Sequence, residues 1–308
     1  MKRRYVLDPE GRAGESVRAI LRGLLDVLES KVDGVVEDTD IEFLHDLRVA
    51  NRRTRTTLSQ MRGVLPASRV ADFSPGFKRL SVVTGPCRDL DVTLLEMAGF
   101  RGRSGIDEPT LDLLQRFLED KRRAEHDRVS GALRSRRFRL LLEGWRDFLD
   151  SKSEGNPYSP LASTPIIEVA GPRILKAAKR IRRRGAAISP DASAALFHRL
   201  RIDGKKLRYL LEFFFVLYGS AAISRFIDEL KRFQDTLSEF NDTEVQLALI
   251  RDFSDEIPFA PAGVGVIDRL TNEITERQRA LRIDAVDRYT AFASDDSRRV
   301  YKKMFKTR

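Results

Sequence analysis

An internal repeat with a constant offset constrains this chain more than any other feature of its sequence. His198 lies 153 residues after His45, and the residues around the two histidines match at the same offset. The offset holds without a gap in both directions, and it pairs Glu15 with Glu168, Leu47 with Leu200, Leu58 with Leu211 and Val92 with Val245. Self-similarity at a fixed offset indicates a duplicated structural unit. The sequence therefore predicts two similar halves, residues 12–150 and 166–306.

Both halves are predicted to be all-α. Apolar residues recur at helical spacing in both halves, and no segment shows the alternation typical of a strand. A segment rich in Ser, Pro and Gly, residues 151–165, is predicted to be a linker. A break is expected at Gly85-Pro86 inside the third helix. The predicted helices cover residues 15–32, 40–65, 75–98, 108–133, 136–149, 166–184, 191–218, 220–252, 264–292 and 295–306.

Each copy carries a row of basic side chains on one helical face. The first row is His45, Arg48, Arg52 and Arg55, and the second row is His198, Arg201, Lys205 and Arg208. At about 100° per residue, each row lies within about 80° of arc. Like charges at these spacings destabilise a helix by tenths of a kcal/mol per pair. The duplicated rows therefore favour an anion site, and the alternative is a pair of solvated helix faces.

The residue types indicate which anion would fit these rows. The guanidinium group of arginine matches two phosphate oxygens, and one cation per helical turn recurs about every 5 Å. This spacing suits an extended chain of phosphates better than one small anion. Lys78 and Lys231 could add a second basic row. The chain carries a net charge of +10 at pH 7, which favours polyanionic partners.

Other classes of site have little support in the sequence. The lone Cys87 cannot form an intramolecular disulfide, and it argues against a zinc site and for a reducing compartment. We expect a soluble cytoplasmic protein, because no signal peptide or membrane-spanning segment is apparent. His126 is expected on an exposed face. The acidic residues Asp89, Asp91, Asp242 and Glu244 invite a metal interpretation, but a helix N-terminus or ion pairs with the basic rows are preferred.

The two basic helices resemble a known family. HDLRVANRRTRTTLSQMRGVLP and FHRLRIDGKKLRYLLEFFFVLYG look like the signature helices of the CHAD family, the conserved histidine α-helical domain, and RDLDV resembles a further motif. The resemblance covers residues 12–306. It implies two four-helix bundles related by a pseudo-two-fold axis, with a basic groove or pore between them. This chain departs from the repeat at Asn241, which matches Arg88, and at Gly204 within the second signature helix.

The same resemblance implies a function. CHAD domains bind inorganic polyphosphate, and bacterial and archaeal members associate with polyphosphate granules. We expect a binding domain with no enzymatic activity and no cofactor, because the sequence has no Gly-rich phosphate loop, HExxH motif or Cys/His pairing. No ExExK signature of the triphosphatase module often fused to CHAD domains is present. The implied contact residues are His45, Arg48, Arg52, Arg55, Lys78, His198, Arg201, Lys205, Arg208 and Lys231.

Two other functions remain open at this point. A nucleic-acid-binding protein would share the positive charge, although the rows contain few aromatic residues for base stacking. A metal-dependent polyphosphate hydrolase would need the acidic residues near the rows. The sequence leaves the oligomeric state and the preferred length of polyphosphate undetermined.

Overall fold

The computed structural model describes residues 5–101, 108–151, 159–218, 221–256 and 261–305. Within these ranges the regular structure is helical. Two isolated β-bridges occur there, and neither extends into a β-strand. The all-α prediction is confirmed. The helices are α1 (Ala13–Glu29), α2 (Val32–Val36), α3 (Ile41–Gln60), α4 (Ala67–Val83), α5 (Gly85–Met97), α6 (Glu108–Arg134), α7 (Arg136–Asp150), α8 (Ile166–Gly185), α9 (Ala194–Tyr218), α10 (Ala221–Glu256), α11 (Pro261–Phe292) and α12 (Asp295–Phe305).

Two predicted boundaries in the first half are wrong. Helix α4 begins at Ala67 rather than at residue 75, because Pro66 is its N-cap and Pro75 lies inside the helix. Helix α3 ends at Gln60 rather than at residue 65. Gly63 then takes a φ of +83°, a left-handed conformation that a side chain would strain and that turns the chain out of the helix.

The predicted break at Gly85-Pro86 is confirmed, since α4 ends at Val83 and α5 begins at Gly85. Proline is tolerated in the first turn of α5 because a backbone N–H there has no intrahelical acceptor. The matching part of the second half has no proline and continues as the single helix α10. The two halves therefore differ in continuity at this position.

The repeat extends to the positions of the helices. The first residues of α8, α9 and α11 each lie 153 residues after the first residues of α1, α3 and α6. Contacts between the halves include three between related elements, α1 with α8, α3 with α9, and α5 with α10, and α6 also packs against α10. One hydrophobic core runs through both halves, and a second, smaller core lies among α5, α6, α10 and α11. The contact of α3 with α9 brings the two basic rows together.

The end of the predicted linker is bound to the first half. Residues 152–158 lie outside the described residues, but residues 159–165 lie alongside the start of α1. The backbone N–H of Gly14 donates to the Ala162 carbonyl at 2.9 Å, and that of Ala13 donates to Thr164 at 2.9 Å. The Leu161 N–H donates to the Gly63 carbonyl, also at 2.9 Å. These bonds tie the start of the second half to α1 and to the end of α3.

Candidate anion-binding site

A cavity of about 650 Å³ lies where α3 and α9 meet, and it is called the shared cavity below. Residues of both halves line it, so the two basic rows face a common space. Among its described lining residues, seven are basic and none is acidic. The basic ones are Arg52, Arg55, Arg62, Lys78, Arg201, Lys205 and Lys206. Such a space attracts anions and excludes cations.

Lys205 is the cation of the shared cavity whose ionisation is disfavoured most. Burial, and after it the positive charges of Arg52 and Arg201, lower the pKa of this amine to about 6. Burial likewise lowers the pKa of Arg55 and Arg201, and brings the pKa of Arg48 to about 10. An anion in the shared cavity would restore the charged form of Lys205, because opposite charge favours ionisation.

Neutral oxygens hold several of these arginines in place. Arg48 Nη1 donates to Thr84 Oγ1 at 2.9 Å, and Arg55 Nη1 donates to Ser81 Oγ at 2.7 Å. Arg52 Nε donates to the hydroxyl of Tyr209 at 2.7 Å, which links α3 to α9. Hydroxyl groups orient the guanidinium groups without neutralising them. The charge therefore remains available for an anion.

Gly204 is accommodated by an exchange of side-chain size across the repeat. In the first half, Asn51 Nδ2 on α3 donates to Ser81 Oγ on α4 at 2.9 Å. Their counterparts are Gly204 and Gln234, and here Gln234 Nε2 reaches across to the Gly204 carbonyl at 2.9 Å. A Cβ on Gly204 would lie 3.0 Å from Gln234 Cγ. The glycine makes room for the glutamine and does not interrupt α9.

The contact of α3 with α9 has two dissimilar sides. The open side comprises Thr56, Ser59, Lys205 and Lys206, which line the shared cavity. The closed side comprises Tyr209, Glu212 and Arg53, the counterparts of Thr56, Ser59 and Lys206. Arg52, the counterpart of Lys205, lies between the two sides, because it lines the shared cavity and also donates to Tyr209. On the closed side, Glu212 accepts from Arg208 Nε at 2.7 Å and also from Arg53. The Arg53 guanidinium lies 5.2 Å from the centroid of the Tyr209 ring.

Five predicted site residues are not among those that line the shared cavity: His45, Arg48, His198, Arg208 and Lys231. His45 is half-buried, and burial together with the nearby charge of Arg88 lowers its pKa. His198 is exposed, and its Nδ1 lies 3.3 Å from Asn241 Oδ1. Asn241 is the counterpart of Arg88, so the neighbours of the two histidines occupy the same position of the repeat. Lys231 is exposed on α10, whereas its counterpart Lys78 lines the shared cavity.

The acidic residues near the basic rows take different partners. Burial raises the pKa of Asp89, and the charges of Arg48 and Arg201 oppose that shift. Asp91 is buried and accepts from Arg122 Nε on α6 at 2.7 Å, so it does not pair with the rows. No group of three or more His, Cys, Asp or Glu residues suited to a metal ion occurs in the described part of the chain.

The surface assignment of one segment of α6 is wrong. His126 is half-buried rather than exposed, and its Nε2 lies 2.8 Å from the Val35 carbonyl oxygen. Arg122, one turn before His126 on α6, pairs with both Asp38 and Asp91. These contacts join α6 to α2 and α5. Among the helices within the described ranges, none is long and apolar enough to cross a membrane.

Two side chains that shape the site, Tyr209 and Glu212, belong to no sequence motif and were not predicted as site residues. They align with Thr56 and Ser59 of the first copy, and this difference between the copies could have identified them from the sequence. Lys206 could have been found through its alignment with Arg53. Arg62 follows the end of α3 at Gln60 and also lines the shared cavity.

Comparison with known proteins agrees with this geometry. The structure is similar to the crystal structure of the CHAD domain from the plant Ricinus communis, with a TM-score of 0.77, 26% identity and 95% of each chain covered. It shares its fold with PptA from Streptomyces chartreusis, with a TM-score of 0.71, 18% identity, and 91% of this chain and 99% of that chain covered. A search of curated protein sequences found no match. The CHAD domain profile matches residues 19–251, which include both basic rows, and this chain therefore belongs to the CHAD domain family.

Proposed function

We propose that this protein binds inorganic polyphosphate, without cleaving it, in a basic groove between two pseudo-two-fold-related four-helix bundles. The observation that carries the proposal is the shared cavity, whose described lining has seven basic side chains from both halves and no acidic one. The proposed direct contacts are the predicted residues that line it: Arg52, Arg55, Lys78, Arg201 and Lys205. Arg48 and the two histidines would act from the edge.

A chain of phosphates suits this lining better than a single phosphate. Its charges recur along the chain and can meet cations from α3 and α9 in succession. Arg52 is held by Tyr209, and Arg55 by Ser81, so their guanidinium groups are already oriented before binding. Less side-chain entropy is then lost when the anion binds. In this proposal the protein is cytoplasmic and associates with polyphosphate granules.

Charge reversal inside the shared cavity tests the proposal. The triple variant Arg52→Glu, Arg201→Glu and Lys205→Glu should lose binding to long-chain polyphosphate by at least about 1000-fold, because three attractions become repulsions. A matched control reverses three exposed arginines elsewhere, Arg123, Arg128 and Arg139, whose side chains are 74%, 70% and 67% exposed. It changes the net charge equally and should bind within about tenfold of the wild type.

Two further assays separate the alternatives. Duplex DNA or RNA, added at equal phosphate concentration, should fail to displace polyphosphate, and displacement would favour a nucleic-acid-binding protein. Phosphate release with magnesium or manganese would favour a hydrolase. Survival of polyphosphate binding in the triple variant, with its helicity retained, would show that the shared cavity is not the site.

A further inference from the structure

The open and closed sides of the contact between α3 and α9 occupy equivalent positions of the repeat, and the shared cavity lies on the open side. Lys205 and Thr56 line the cavity there, whereas their counterparts Arg52 and Tyr209 are joined by a hydrogen bond. Lys206 and Ser59 likewise correspond to Arg53 and Glu212. Tyr209 and Glu212 are large where Thr56 and Ser59 are small. Tyr209 and Glu212 therefore occupy the positions at which small residues border the shared cavity on the open side.

The two sides also differ in charge. On the open side, Arg55 donates to a serine hydroxyl, and no acidic residue is among the described residues that line the cavity. On the closed side, Glu212 accepts from both Arg208 and Arg53. The Glu212 side chain is 18% exposed, and that of Arg53 is 19% exposed. Removing Glu212 from these partners would leave buried charges unpaired, which is costly.

We propose that polyphosphate binds on the open side only, and that Glu212 prevents the phosphate chain from reaching Arg208. This inference rests on the proposed function and deepens it, because it makes the binding site one-sided despite the duplicated sequence. Glu212 acts in two ways: it neutralises Arg208 and Arg53, and it presents a carboxylate that repels phosphate. Tyr209 fills the remaining space and fixes Arg52 at the boundary between the two sides.

Substitutions at one matched pair of repeat positions test this proposal. Arg55→Gln and Arg208→Gln remove one positive charge each, at positions 153 residues apart. Arg55→Gln should weaken binding of long-chain polyphosphate about tenfold, whereas Arg208→Gln should leave it within about twofold of the wild type. Equal losses in the two variants would overturn the one-sided model.

A third variant tests the role of Glu212 directly. Glu212→Ser copies the residue found at the matching position in the first half. The variant should leave Arg53 and Arg208 free to bind phosphate, so polyphosphate should bind several-fold more tightly. The slope of log K against log salt concentration should then correspond to one to two more released ions, by analogy with counterion release from nucleic acids. If Glu212→Ser unfolds, Glu212→Gln keeps the size of the side chain and removes its charge. Unchanged affinity and salt dependence in a folded variant would refute the role of Glu212.

The wild-type protein distinguishes this inference from the proposed function. Absence of polyphosphate binding by the wild type would remove the proposed function and the inference together. Binding by the wild type, with loss in the triple variant of the shared cavity but equal effects of Arg55→Gln and Arg208→Gln, would remove only the inference. Circular dichroism spectra and thermal melting of each variant show that the compared proteins are folded.

Discussion

The open and closed sides of the contact between α3 and α9 were built from the same repeat and have diverged into a cavity and an ion-pair cluster. On the open side, small residues leave a space of about 650 Å³ whose described lining has seven basic residues and no acidic one. On the closed side, a tyrosine and a glutamate stand at the matching positions, and the glutamate pairs with Arg208 and Arg53. The backbone plan is shared, and two side-chain replacements account for the difference.

This comparison shows that sequence symmetry in a duplicated protein need not give a symmetric site. Arg55 and Arg208 are identical residues at matching positions, yet one borders the cavity and the other is paired with Glu212. The residue four positions later decides between these outcomes. Ser59 is neutral and short, whereas Glu212 on the same face of α9 forms an ion pair with Arg208.

Among substitutions that exchange residues between the two sides, the largest effect is expected from making the open side resemble the closed side. The double variant Thr56→Tyr and Ser59→Glu should weaken binding of polyphosphate at least about 100-fold, because it fills the shared cavity and brings a carboxylate to Lys206. Isothermal titration calorimetry measures the loss. The control Thr56→Val and Ser59→Ala keeps the side chains small and uncharged. Retained affinity in the tyrosine and glutamate variant would show that the open side is not where the anion lies.

The size exchange between the halves predicts a loss of stability that a second substitution recovers. Gly204→Asn should lower the free energy of unfolding by about 2 kcal/mol, because a Cβ there lies 3.0 Å from Gln234 Cγ. Adding Gln234→Ser recreates the Asn51–Ser81 pair and should recover at least half of the loss. Urea denaturation measures both changes. If the double variant is no more stable than Gly204→Asn alone, the size of residue 204 is not matched to the side chain at position 234.

Binding should weaken as the pH rises above about 6. The empty site holds the pKa of Lys205 near 6, and a bound anion raises it, so binding at higher pH takes up a proton. Between pH 6 and 8 the affinity should fall by up to about tenfold per pH unit. Lys205→Arg keeps its charge throughout this range and should flatten the profile. An equally steep profile in that variant would assign the pH dependence to another group.

The smallest expected effect is a gain in stability when the same lysine is removed. A folded-state pKa near 6, below the usual lysine value, means that folding destabilises the charged amine. The penalty grows as the pH falls from about 10 to about 6 and is constant below that range. Lys205→Met should therefore raise the free energy of unfolding at pH 7 by at least about 1 kcal/mol, because each unit by which the pKa is lowered corresponds to about 1.4 kcal/mol. The gain should shrink towards pH 10, and thermal melting across this pH range would show a constant gain if the cause lay elsewhere.

The sequence by itself determined the helical class, the duplication and the faces of the basic rows. Helical periodicity is local, so most of the predicted segments agree with the observed helices to within a few residues. The offset of 153 residues also matches the first residues of α8, α9 and α11 to those of α1, α3 and α6. Where prediction failed, as at Pro75, a single residue carried competing signals for starting and interrupting a helix.

Only the tertiary structure decided which members of the basic rows share a cavity and which are neutralised. Whether Arg208 faces an anion or a carboxylate depends on Glu212, and Arg53, which binds the same carboxylate, comes from the other half of the chain. The pairing of Arg122 with Asp38 and Asp91 likewise joins residues far apart in sequence. Electrostatic interactions depend on distance in space and on burial, and a local pattern of residues specifies neither of these.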